Sequence, residues 1–141
     1  MNNKFVVGTK IVLGDFFLTE KDIIDFGKAF DPLDFHIDIE KAKKTIFKGL
    51  IASGPHIFNH VYRKAWLPLY GNTIICGMGV YNWKFIKPIY ANQLIKAEVT
   101  ILSTREEQHL GGIAVMWQFE FKDEKNEMVQ ILQTEVMHKI S

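Results

Sequence analysis

Between Gly54 and Leu67 the chain reads as a helix that is apolar on most of its surface. Ile57, Phe58, Val61, Tyr62, Ala65, Trp66 and Leu67 surround a helical axis on nearly every side, and a helix that is apolar all round is a buried one. Pro55 suits its first turn and Ser53 or Gly54 its cap, while Pro68 and Gly71 end it. The 141 residues make about one ordinary domain, so this helix must be covered by the rest of its own chain.

That remainder changes period once. Thr19 caps a run in which Ile23, Ile24, Phe26 and Phe30 recur at helical spacing until Pro32, and Asp38 can cap a second helix from Ile39 to Phe47, closed by Gly49. From Asn72 onward the period is two. Strands are expected over Asn72–Phe85, Leu94–Thr104, Gly112–Lys122 and Met128–Ile140, with a polar turn at Asp123–Glu127 and one more strand within Lys10–Leu18. Five mostly antiparallel strands and one buried helix predict an α+β fold, residues 1–141 as one domain, whose sheet wraps the helix.

Charge and cysteine usage narrow the function. Seventeen Lys and Arg against sixteen Asp and Glu give +1, which lacks the basic excess of a nucleic-acid binder. One cysteine, Cys76, leaves no internal disulfide and no Cys-pair zinc site. There is no run of eighteen apolar residues, and the apolar stretch in Met1–Gly8 is too short for a signal peptide. The expectation is a cytoplasmic, soluble domain that contacts neither nucleic acid nor membrane.

Two segments concentrate groups able to do chemistry. Phe30-Asp31-Pro32-Leu33-Asp34-Phe35-His36-Ile37-Asp38 places three acids and a histidine between two helices. Asp31 and His36, five residues apart in a turn, can converge as a carboxylate and an imidazole on one small group. They can equally be a helix terminator and a polar gap-filler. Leu50-Ile51-Ala52-Ser53-Gly54-Pro55-His56 opens the buried helix, where unpaired N–H groups suit an oxyanion or need only a cap. His56 and His60 lie four apart without the Glu of a zinc-protease motif and read as packing or surface residues rather than metal ligands. His109, His138 and Cys76 read as incidental, and the strand aromatics as core.

Taken together, these segments resemble the MaoC-like dehydratases, a family that includes R-specific enoyl-CoA hydratases. The family signature runs Asp-x-Asn-Pro-Leu-His-x-Asp, or Phe-Asp-Pro-Gln-Pro-Phe-His-x-Asp in a variant branch, followed by Ile-Ala-His/Ser-Gly. The chain carries Phe30 to Asp38, then Leu50-Ile51-Ala52-Ser53-Gly54, and Trp83 to Leu94 is similar to the family's aromatic–Pro–Ile turn. Leu33 and Asp34 depart from the pattern, and Ser53 follows the variant branch.

The resemblance implies a hot-dog fold, an antiparallel five-stranded sheet wrapped around a long central helix at about residues 54–67. It implies reversible hydration of a trans-2-enoyl thioester to the (R)-3-hydroxyacyl thioester, with Asp31 and His36 holding one water. The Gly54 N–H, beside Ser53, would receive the thioester oxygen. Leu33, Phe35, Tyr62 and Trp66 are candidates for the acyl pocket, the carrier is CoA or acyl carrier protein, and no cofactor or metal is implied. The same resemblance implies a homodimer with sheets joined edge to edge. Two rivals remain open: a non-catalytic acyl-thioester-binding module, favoured by Leu33 and Asp34, and a thioesterase, disfavoured because Gly54–Leu67 holds no acid.

Overall fold

Thr19 closes a capping box on the first helix: its hydroxyl accepts the Asp22 N–H, and the Asp22 carboxylate accepts the Thr19 N–H, both at 3.0 Å. In the computed structural model, which describes residues 4–140, strand β1 (Lys10–Phe16) leads into this helix, α1 (Glu20–Phe30). Met1–Asn3 and Ser141, part of the expected 1–141 span, lie outside the described residues.

The loop after Pro32 holds a helical turn that the sequence pattern does not announce, α2 (Asp34–Ile37). The next helix, α3 (Ile39–Lys43), is capped by Asp38 as expected, its carboxylate accepting the Lys41 N–H at 3.0 Å. It stops well short of Phe47, because Lys44, Thr45 and Lys48 close turns onto the carbonyls behind them.

The central helix begins one or two residues later than its cap signals, at α4 (His56–Val61), with Pro55 rather than Ser53 or Gly54 at the cap. It does not end at Leu67. A wide turn over Tyr62–Trp66 carries it into α5 (Leu67–Tyr70), with Pro68 inside the first turn of α5. Proline has no N–H to donate and its ring collides with the carbonyl four residues back. The wide turn, in which the Leu67 N–H reaches back to the Tyr62 carbonyl, is how the helix passes it.

The remaining strands are β2 (Ile74–Phe85), β3 (Ile95–Glu107), β4 (Gly112–Lys122) and β5 (Met128–Lys139), in the order β1-β3-β4-β5-β2 with every neighbouring pair antiparallel. The expected sheet packed on a buried helix is thus the one observed. Ile57, Val61 and Trp66 of the helix are fully buried against Ile95, Ala97, Val99, Trp117, Phe119 and Leu132 of the sheet. Trp66 meets Trp117 edge to face at 5.3 Å, the ring arrangement that aromatic quadrupoles favour. Edge strand β2 is the exception: most of it is exposed, including Ile75, Met78, Val80, Tyr81 and Phe85. Among the described residues no helix is long and apolar enough to cross a membrane.

His138 is not incidental. It is completely buried on β5, and its Nε2 accepts the Trp117 indole N–H at 3.1 Å. An indole nitrogen can only donate, so the neutral ring carries its proton on Nδ1 and gives it to the Thr73 hydroxyl at 2.8 Å. Thr73 in turn donates to the Tyr70 carbonyl at 2.9 Å, which ties the end of the central helix to the sheet.

Candidate active site

The site forms where the α1–α2 loop meets the start of the central helix. Asp31 caps the C-terminus of α1, its N–H bonding the Gly27 carbonyl at 2.8 Å. Gly27 is there because nothing larger fits: a Cβ would stand 2.9 Å from the His36 carbonyl oxygen. That close approach brings α2 against α1 and places His36 beside Asp31.

His36 Nε2 lies 3.3 Å from Asp31 Oδ2, and the Ser53 hydroxyl donates to the same oxygen at 2.7 Å. On the far side of the ring, Nδ1 is 2.7 Å from the Ile51 carbonyl. A carbonyl only accepts, so Nδ1 is an N–H donor and Nε2 is the nitrogen free to exchange a proton. His36 and Ser53 are buried and Asp31 is about a third exposed. The carboxylate therefore keeps contact with water while its two partners are held in place.

A cavity of about 390 Å³ opens beside this cluster, its walls including Phe35, His36, Phe47, Ser53, Gly54 and Phe85. Its apolar walls and few convergent polar groups are typical of a small-molecule site. Among the described residues no acceptor meets the Gly54 N–H. Phe85 presses on Gly54 so closely that an added Cβ would stand 2.7 Å from its ring. Gln130 donates to the Gly54 carbonyl at 2.9 Å.

The structure thus gathers Asp31, His36, Ser53, Gly54 and Phe35 at one place. Asp31 does not itself line the cavity but contacts two residues that do. Three of the four expected acyl-pocket residues are elsewhere. Leu33 is half exposed ahead of α2. Tyr62 faces a separate hollow beside Gly77, Gly79 and Val80 of β2. Trp66 is sealed in the core, because its register on the helix points it at the sheet. Asp34, the departure beside Asp31, is exposed and 3.8 Å from Lys41.

The walls that sequence reasoning missed come from Phe47, Phe85 to Ile89, and Gln130. Gln130 did leave a signal: it is a polar residue in phase with Leu132, Thr134 and Val136 on the inward face of β5. His56 is buried and stacked on Phe26 at 4.2 Å, and burial pushes its pKa down to about 4. His60 stands 6.5 Å away and edge-on, and burial lowers its pKa as well.

The chain is similar to known proteins over most of its length. The family described as MaoC like domain matches residues 4–116. The uncharacterized protein YdeM of Bacillus subtilis (strain 168) is 32% identical over 113 residues, which cover 79% of each chain. The MaoC-like dehydratase from Rhodospirillum rubrum superposes with a TM-score of 0.82 at 25% identity, over 96% of this chain and 94% of that one. The monoamine oxidase regulatory protein from Archaeoglobus fulgius gives 0.86 at 23% identity, over 96% and 92%.

Proposed function

Because the chain belongs to the MaoC-like domain family, we propose that it adds water reversibly to a trans-2-enoyl thioester, giving the (R)-3-hydroxyacyl thioester. The observation that carries this reading is the convergence of Asp31, His36 and Ser53 on one carboxylate oxygen beside an apolar cavity that also holds Gly54. The thioester carbonyl oxygen takes the Gly54 N–H, which stabilises the negative charge that grows there as water attacks. The water oxygen forms its bond to Cβ and gives a proton to Asp31. The electron pair of the Cα=Cβ bond takes a proton at Cα from His36 Nε2, whose Nδ1–H stays on the Ile51 carbonyl. Passage of the proton from Asp31 to Nε2, across 3.3 Å, resets the pair.

The exposed apolar edge of β2 suits pairing with a second copy, since a bare strand edge is normally covered. The proposed unit is therefore a homodimer joined edge to edge, acting on a thioester of CoA or acyl carrier protein.

A spectroscopic assay with short and medium trans-2-enoyl-CoA tests the reading, with Asp31→Asn alongside. Loss of the conjugated-enoyl absorbance at constant free thiol, in the wild type only, is the expected result. Rising free thiol would mean a thioesterase. No change with CoA or carrier-protein thioesters would leave a binding module.

A further inference from the structure

Gln130 is a buried amide on the inward face of β5, between Leu132 and the end of the strand that lines the cavity. Both ends of its side chain are occupied. The Trp83 indole N–H donates to its Oε1 at 3.0 Å, and its Nε2 donates to the Gly54 carbonyl at 2.9 Å. Because an indole can only donate, Trp83 fixes which way round the amide lies. A leucine there would fill the same space without desolvating an amide, so the polar group is retained for what it holds.

What it holds is one side of a clamped peptide. The Ser53 carbonyl, on the peptide that carries the Gly54 N–H, accepts the His56 N–H at 3.0 Å. The Ser53 side chain is tied to Asp31, the Gly54 α-carbon is pressed by Phe85, and the next carbonyl is tied to Gln130. In a trans peptide the N–H points opposite its carbonyl, so restraints on both sides of Gly54 leave that N–H a single direction.

We propose that Gln130, oriented by Trp83, is the positioning residue that aims the Gly54 N–H at the thioester oxygen. The assignment rests on the hydratase reading above and extends it to a residue of the sheet, on β5, that shares a cavity with His36. A displaced donor costs transition-state stabilisation more than substrate binding.

The test compares wild type with Gln130→Met, Gln130→Glu and Trp83→Phe. It measures kcat and KM for a trans-2-enoyl-CoA, the thermal midpoint, and the ¹⁵N order parameter of the Gly54 amide. The expected result is a fall in kcat of about 10- to 100-fold with KM changed far less. The Gly54 order parameter falls from about 0.85 towards 0.6. In Gln130→Glu the activity relative to wild type recovers as pH falls, when the introduced carboxyl gains a proton to donate to the Gly54 carbonyl. Unchanged kcat, or a rigid Gly54 amide in all three folded variants, overturns the assignment. If the wild type turns over no enoyl thioester the hydratase reading fails, and the order parameter alone decides whether Gln130 fixes this peptide.

Discussion

His36 Nε2 and the Ser53 hydroxyl meet on the same oxygen of Asp31, at 3.3 and 2.7 Å. One carboxylate oxygen thus joins the end of α1, the turn α2 and the segment leading into the central helix. Asp31→Asn and His36→Ala should each lower kcat by about 10²- to 10⁴-fold, the range of general acid–base catalysis. Asp31 is partly exposed, so the thermal midpoint of Asp31→Asn should stay near that of wild type. Near-wild-type turnover in either variant would remove the pair from the mechanism. Ser53→Ala should cost less, because it only frees the carboxylate to rotate.

Gly27→Ala tests how the pair is brought together. In an exposed helix the change would help by about 0.5–1 kcal/mol. Here the new methyl meets the backbone carbonyl of His36 and the Ile37 side chain at 2.9 Å. A carbonyl on a packed turn cannot swing aside as a side chain can. Overpacking costs about 1–3 kcal/mol, so the net effect should be destabilising by thermal or urea denaturation. Turnover of the protein that remains folded should also fall, since relief of the clash moves His36 from Asp31. A more stable, fully active variant would show that α2 is free to shift.

Periodicity made most of the fold legible. The alternation of Val115, Trp117, Phe119 and Phe121 placed β4 on its observed bounds, Gly112–Lys122, and Thr19 with Pro32 bracketed α1. Pro68 is a poor stop signal here, because a wide turn lets a buried helix run past it. Asp31 and His36 were legible as candidates from residue type and spacing. The cavity walls were not, because Phe85 and Gln130 reach Gly54 only through the pairing of β2 with β5. Trp66 shows the converse: an aromatic on the right helix but in a register that faces the sheet.

The β2 edge makes a second-copy prediction. Met78 and Val80 are exposed on a strand that has a neighbour, β5, on one side only. Sedimentation at micromolar concentration should give twice the 16.3 kDa chain mass, and Val80→Lys should shift the population towards monomer. A lysine on an edge strand opposes pairing by charge and by the cost of burying it. A monomeric wild type would contradict the edge-to-edge homodimer.

Acid should destabilise the fold earlier than its carboxylates require. Burial lowers the pKa of both His56 and His138 from the ordinary 6.5 to about 4. His60 and Lys64 crowd the His56 end and Asp22 opposes them, while Lys4 acts on His138. Between those two values the unfolded chain binds protons that the folded chain refuses. Stability is therefore fully present above about 6.5 and is lost as pH falls towards about 4. Asp22, Asp123 and Glu107 also have lowered pKa values, but their contribution is lost only below their ordinary 3.8 to 4.5. Urea midpoints should accordingly drop between pH 7 and pH 5, in the histidine window. His138→Gln keeps a donor and an acceptor for Thr73 and Trp117, so in folded protein it should flatten that slope, leaving the part that His56 and His60 contribute. An unchanged slope in that variant would mean that protonation of His138 does not limit acid stability.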